Sequence, residues 1–73
     1  MGIGYVKSQY LKSDVNRGSS WPAVVNLQDP NSYLNVRSIP STSGSIIGTL
    51  YHGDTVTVYL DRTIPSDWSK IGF

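Results

Sequence analysis

The chain has 73 residues, six of them basic and five acidic, and it contains no cysteine. This length fits one domain with a small core, and the lack of cysteine excludes disulfides and cysteine-based metal sites. The net charge is only +1 and the basic residues are scattered, so the sequence offers no patch for nucleic acid or for an anionic membrane surface.

The first part of the chain predicts an extended segment, a turn and a linker. Residues 4–7 are expected to be extended and residues 8–11 to form a single tight turn. Residues 12–20 are polar and are interpreted as a linker. Glutamate is absent and alanine occurs once, so the composition gives little sign of helix.

Two short strands are predicted next, over residues 23–27 and 34–37. They flank residues 29–32, whose sequence Asp-Pro-Asn-Ser is a strong turn signal. Residues 40–45, which read PSTSGS, are polar apart from Pro40 and Gly44 and are expected to form a polar loop.

Residues 46–51 and 55–60 are predicted to pair as a hairpin. Gly53, in the turn between them, is free to take a positive φ. In the second strand Val56, Val58 and Leu60 alternate with Thr55, Thr57 and Tyr59. This period of two predicts a strand with one buried face.

The chain ends with a predicted loop over residues 61–67 and a closing strand over residues 68–73. Ile71 and Phe73 share one face of that strand. Short strands separated by frequent turns predict an all-β fold, a small barrel of five to six strands that is closed or nearly closed. Closure protects the strand edges that so small a sheet would otherwise expose.

The motifs in the second half of the chain are familiar in their order and spacing. Residues 34–41 read LNVRSIPS, residues 47–50 read IGTL, residues 52–58 read HGDTVTV, and Trp68 opens the next predicted strand. Together they resemble the bacterial Src-homology-3 (SH3) domain, and Ile39 departs from that family where a glycine is usual. The resemblance implies an SH3-like barrel.

That family ends in a strand and turn reading G-Y-V-x-S-x-Y-L, which this chain carries at its start, in residues 4–11. The resemblance therefore covers a single domain, 1–73, in permuted order. Residues 1–11 match the family's C-terminal strand and turn, residues 12–20 are the linker, and residues 21–73 hold the remaining strands. The first strand can close its own barrel, as in a circular permutation, or complete a neighbour's barrel in a strand-swapped homo-oligomer. The chain can also be one unit of a tandem array, and the sequence leaves these possibilities open.

Groups able to catalyse a reaction are sparse. His52 is the only histidine and lies in a predicted turn, and no Gly-x-Ser-x-Gly motif occurs. Asp29, Asp54, Asp61 and Asp67 fall in turns, where turn formation explains them better than acid–base chemistry does. The spacing of the histidine and aspartate residues does not match a metal site, and the glycines do not form a phosphate-binding loop motif. We therefore expect no enzymatic activity, cofactor or metal in this chain.

The aromatic residues, five Tyr, two Trp and one Phe, are more than a core of this size needs. Exposed Tyr and Trp provide flat apolar area with a polar group, which suits recognition of a peptide or a glycan. By alternation Tyr59 should face away from Val58 and Leu60. Our candidate ligand-binding residues are Trp68, Tyr10, Tyr5, Tyr59, Tyr33, Asn35 and Arg37.

Part of that set rests on the resemblance. In the SH3 fold the Trp that opens the last-but-one strand and the Tyr of the short final turn line the ligand groove, which implicates Trp68 and Tyr10. Asn35 and Arg37 belong to the family motif, and their alternative role is to brace a loop by hydrogen bonds. Lys7 stands where eukaryotic relatives have proline, which argues against recognition of a polyproline ligand.

The resemblance implies a non-catalytic module that binds peptidoglycan, through its peptides or glycans, at the bacterial cell wall. Such modules hold a peptidoglycan hydrolase, for example an endolysin or an autolysin, on its substrate while a separate domain cuts. The alternative is a protein–protein or peptide interaction module without wall contact. No apolar run approaches the roughly 20 residues that span a bilayer and no signal peptide is recognised, so we expect no membrane partner.

Overall fold

A computed structural model describes residues 2–13 and 18–73, which form one antiparallel sheet. Its strands are β1 (Ile3–Lys7), β2 (Leu11–Lys12), β3 (Ser20–Val25), β4 (Tyr33–Arg37), β5 (Ile46–Tyr51), β6 (Thr55–Tyr59) and β7 (Trp68–Gly72). A 3-10 turn, Ser8–Tyr10, joins β1 to β2, and the described residues include no α-helix. The all-β prediction is confirmed. The strands number seven rather than five to six because the short β2, in the predicted turn and linker, pairs with β3.

The strands pair in the order β2-β3-β6-β7-β1-β4-β5, with β2 and β5 at the two edges. The inward residues form one core cluster of Val6, Ala23, Val25, Leu27, Leu34, Val36, Leu50, Val56, Val58 and Ile71. Leu50 comes from the edge strand β5, and Leu11 of the other edge strand packs against the same cluster. Because both edges of one sheet reach one core, the sheet must curve around it.

The alternation of β6 is confirmed at Val56 and Val58, which are both buried. The inward orientation expected for Leu60 is wrong, because this side chain is 48% exposed. The strand ends at Tyr59, and the Leu60 amide instead donates a hydrogen bond to the Ser19 carbonyl.

The strand predicted over residues 23–27 is shifted in the structure to Ser20–Val25. Pro22 lies inside it, although proline cannot donate a ladder hydrogen bond. It is tolerated because β2 reaches only Val24 and Val25, which leaves β3 with one partner strand at Pro22. Leu27 is buried but lies beyond the strand, and its amide donates to Nδ1 of His52 at 3.0 Å.

The predicted hairpin between residues 46–51 and 55–60 is wrong. Both strands form, but β5 pairs with β4, and β6 pairs with β3 and β7. The turn between them explains this. The Asp54 amide donates to the Tyr51 carbonyl at 3.0 Å, and Gly53 has φ 93° at the third position, as in type II turns. Such turns splay the two strands apart, whereas the primed turns of tight hairpins do not.

The same turn is held by groups outside a hairpin ladder. Oδ2 of Asp54 accepts a hydrogen bond from the Tyr51 amide at 2.8 Å. The Gly53 amide donates to the Val25 carbonyl, and the Val25 amide donates to the Asp54 carbonyl, both at 2.8 Å. The turn after β5 is therefore hydrogen-bonded to the end of β3, although β5 and β3 lie near opposite ends of the strand order.

Gly53→Ala is expected to lower the free energy of unfolding by about 1 kcal/mol, because an L side chain is disfavoured at φ 93°. No atom lies within 4 Å of the added Cβ, so backbone conformation is the only cost. Gly53→Asn should cost less, since asparagine tolerates positive φ better. Urea unfolding of the two variants measures the difference, and equal losses would contradict this explanation.

The N-terminal strand β1 lies between β7 and β4 of its own chain. Its pairing with β7 runs from Ile3↔Gly72 to Lys7↔Trp68, and Tyr5 pairs with Arg37 of β4. The ladder continues past the strand ends, where Gly2 and Phe73 exchange two backbone hydrogen bonds of 2.8 and 3.0 Å. The first and last described residues are thus direct neighbours in the sheet.

The predicted linker, residues 12–20, is shorter at both ends in the structure. Lys12 belongs to β2 and pairs with Val24, and Ser20 begins β3 opposite Tyr59. Residues 14–17 of the predicted linker lie outside the described residues.

Candidate binding groove

An open groove of about 460 Å³ brings together five of the seven candidate residues: Tyr10, Tyr33, Asn35, Arg37 and Trp68. Sites for small ligands commonly occupy about 300–1,000 Å³. The groove crosses the outer face of the sheet where β7, β1 and β4 lie side by side. The structure therefore assembles one surface from residues that are 58 positions apart in the sequence, Tyr10 and Trp68.

Strand β4 supplies three of these side chains through its alternation. Leu34 and Val36 enter the core, so Tyr33, Asn35 and Arg37 point outward. Tyr33 is 61% exposed, whereas Asn35 and Arg37 are half-buried. Strand register thus places an aromatic ring, an amide and a cation in one row along the groove.

The 3-10 turn places Tyr10 against the other side of the groove. Its start is fixed by the Ser8 amide, which donates to the Asp67 carbonyl at 2.8 Å. Its end is fixed by the Asn26 amide, which donates to the Tyr10 carbonyl at 2.8 Å. The Tyr10 ring packs against the core cluster while lining the groove.

Trp68 opens β7 and is only 8% exposed, although it lies on the outer face of the sheet. Lys7 stands opposite it in the ladder, and the Lys7 Nζ lies 5.3 Å from the centroid of the Trp68 ring. The same Nζ lies 3.2 Å from Oδ2 of Asp67. A cation within about 6 Å of an indole face is attracted to it, so the Lys7 ammonium is held between a ring and a carboxylate.

Arg37 has a bracing role that the sequence offered as an alternative. Its Nη1 donates to the Gly44 carbonyl at 3.1 Å and so holds the loop between β4 and β5. Asn35 differs, because none of the described residues forms a hydrogen bond with its side-chain amide. Its donors and acceptor therefore remain available to a ligand in the groove.

Tyr5 and Tyr59 lie outside the groove. Register places them in a transverse row on the outer face, in the order Tyr59, Lys70, Tyr5, Arg37. Tyr5 is half-buried, and the Tyr59 ring packs over Gly72. Neither tyrosine is among the residues that line the groove with Tyr10 and Trp68.

Several groove residues were not among the candidates: Lys7, Leu27, Gln28, Asp29, Ser32, Leu34 and Thr42. Four of them come from the loop between β3 and β4, for which the sequence predicts the end of a strand followed by a turn. Lys7 could have been predicted to lie near the groove. A strand over residues 4–7 that pairs with the closing strand places Lys7 beside Trp68.

The side-chain carboxylates within residues 18–73 serve turns or an ion pair. Oδ1 of Asp29 accepts from the Asn31 amide at 2.9 Å, and Asp54 caps the Tyr51 amide. The Thr63 hydroxyl and amide donate to Asp61, which lowers the pKa of the Asp61 carboxyl. Among residues 2–13 and 18–73 no three His, Asp or Glu side chains cluster as metal ligands, and no helix could cross a membrane.

The family model of the bacterial SH3 domain matches residues 32–73, which is more than half of the chain. Neither a curated protein nor a solved structure gave a significant match. The matched region runs from the start of β4 to the end of β7 and includes Tyr33, Asn35, Arg37 and Trp68 of the groove. Members of this family are binding domains that are generally non-catalytic, and they are often involved in cell-wall binding. The chain belongs to the bacterial SH3 domain family.

Proposed function

We propose that this domain is a non-catalytic module that binds bacterial peptidoglycan and targets a peptidoglycan hydrolase to the cell wall. The observation that carries the proposal is the groove in which Tyr10, Tyr33, Asn35, Arg37 and Trp68 converge. Aromatic faces beside an amide and a cation suit a peptide with small side chains and exposed amide groups. Membership of a family often involved in cell-wall binding supports the same ligand.

We further propose that residues 2–12 take the place of the family's last strand, in permuted order. The family match ends at Phe73, and β1 continues the sheet directly beside β7. The groove depends on this arrangement, because Lys7 and Tyr10 both belong to the N-terminal segment. Ligand binding in the groove is then coupled to docking of the N-terminal segment on the sheet.

Tyr33→Ala and Asn35→Ala are each expected to weaken binding to purified Gram-positive sacculi about tenfold. They remove contact area or a polar partner from the groove without touching the core. Tyr59→Ala is the matched control, an aromatic residue on the same face of the sheet but outside the groove. Co-sedimentation of the folded variants with sacculi, checked by thermal melting, provides the measurement.

Two results would contradict the proposal. The wild-type domain could remain in the supernatant, which favours a peptide interaction module without wall contact. Alternatively, Tyr59→Ala could lose binding as completely as Tyr33→Ala does, which would place the binding surface elsewhere.

A further inference from the structure

The Lys7 ammonium occupies a position in the groove that a ligand could use. Its Nζ lies 5.3 Å from the centroid of the Trp68 ring and 3.2 Å from Oδ2 of Asp67. An aromatic face and a carboxylate together make a site for a primary ammonium group. In this structure the domain's own side chain fills that site.

The occupant is weakly held. The side chains of Lys7 and Asp67 are 37% and 63% exposed, and an ion pair in that setting contributes little. The cation–π contact is likewise modest where water reaches the cation. The backbone of Lys7 is fixed in β1, but its long side chain can rotate into solvent without disturbing the ladder.

Moving Lys7 would change what the groove presents. Trp68 is 8% exposed, and Lys7 is the cation that lies over its ring. Tyr10 lines the same groove, so a group that enters there meets a second aromatic ring. The freed Asp67 carboxylate would then lack its cation.

We propose that the groove binds a primary amine of its ligand in the position now held by Lys7, and that Lys7 is an intramolecular competitor for this subsite. The inference rests on the proposed function of the groove and adds the chemistry of its ligand. It selects a wall peptide with a free side-chain amine over one whose amine is consumed in an amide cross-link. Acetylation of the amine removes the charge that the subsite recognises.

The test uses Nα-acetyl-lysine methylamide as the probe and its Nε-acetylated form as the uncharged control. The Nε1–H resonance of Trp68 in ¹⁵N-labelled protein reports binding at the ring itself. Lys7→Ala should bind the charged probe about three- to tenfold more tightly than the wild type, since a weak competing cation–π contact and ion pair are removed. Lys7→Arg keeps a competing cation and should bind as the wild type does.

A second substitution separates this effect from a general loosening of the fold. Asp67→Asn in the Lys7→Ala background should lose the gained affinity, and thermal melting shows whether each variant is folded. The inference is overturned if Lys7→Ala binds no better than the wild type, or if the Nε-acetylated probe binds as well as the charged one.

The two proposals can fail separately. Suppose that binding to sacculi depends on Tyr33 but the lysine probe does not shift the Trp68 resonance. The wall-binding function then stands, and the amine subsite is ruled out. If the domain binds the probe but does not bind sacculi, the amine subsite stands and the wall-binding function is ruled out. Chemical N-acetylation of the sacculi gives the matching comparison on the polymer, where weaker binding is expected.

Discussion

Ile71→Ala is expected to destabilise the domain by about 3 kcal/mol, within the range of about 2–5 kcal/mol for truncation of a buried isoleucine. Ile71 is fully buried and is among the largest such side chains in the core. It lies in β7, opposite Val58 of β6 on one side and Gly4 of β1 on the other. Its removal leaves a cavity where the N-terminal strand meets the rest of the sheet.

An effect of this size is large for a domain of 73 residues, since small domains lie at the lower end of the usual 5–15 kcal/mol. Ile46→Ala is the matched control, because Ile46 is 55% exposed on the edge strand β5 and should change stability by about 0.5 kcal/mol or less. Urea unfolding monitored by tryptophan fluorescence compares the two. Similar losses for both isoleucines would contradict the assignment of Ile71 to the core.

Gly4→Val should prevent stable folding, and Gly4→Ala should cost about 2 kcal/mol, as overpacking of a well-packed core does. Gly4 is buried in β1 opposite Ile71. A Cβ there would overlap Cγ1 of Val36 and lie 3.2 Å from both the Arg37 carbonyl and Cδ1 of Ile47. Val36 is itself fully buried, so it has no open space into which to move.

Gly2→Ala controls for the loss of a glycine near the same strand, because no atom lies within 4 Å of a Cβ at that position. Its stability should match that of the wild type. The circular dichroism signal and the melting temperature distinguish the three variants. A fully folded Gly4→Val variant would show that β1 does not pack between β7 and β4 as described.

The alternation of residues accounts for much of what the sequence predicted about the fold. Val56 and Val58 define β6 because a half-buried strand needs an apolar residue at every second position. Pairing across the sheet was harder to predict. The segment Tyr51 to Asp54 has the composition of a hairpin turn, but the conformation of Gly53 and the hydrogen bond to Asp54 separate the strands on either side.

Pro22 is a second instance of local signals that tertiary structure overrides. A proline ordinarily argues against a strand interior. Here the partner strand β2 is too short to reach it, and that fact cannot be read from the residues around Pro22. The same applies to β2 itself, whose two residues carry no periodic pattern.

The groove could be predicted only in part. Trp68 and Tyr10 were identified because the family resemblance places both in a ligand groove, and Asn35 and Arg37 because they belong to the family motif. Tyr33 was chosen only as an aromatic residue on a strand. Tyr5 and Tyr59 were chosen for residue type and strand position, and neither property says on which part of the outer face a side chain lies. Leu27 and Asp29 were missed because they come from an irregular loop, where no periodicity fixes the direction of a side chain.

The position of the N-terminal segment decides both the fold and the groove. Residues 2–12 supply β1, β2, Lys7 and Tyr10, so the sheet and the binding surface are completed together. An exchange of this segment between two chains would build the same groove from two molecules, with Tyr10 contributed by the neighbour. Self-closure and exchange therefore predict the same local contacts but different covalent neighbours.

A cross-link between Ser8 and Ser69 separates these arrangements. Their hydroxyl oxygens lie 2.7 Å apart, one in the N-terminal segment and the other in β7, and the chain has no native cysteine. The Ser8→Cys/Ser69→Cys variant should oxidise to an intrachain disulfide and give a monomer under non-reducing conditions, as measured by mass spectrometry. A covalent dimer, or two thiols that remain free under oxidising conditions, would contradict closure of the domain on its own N-terminal strand.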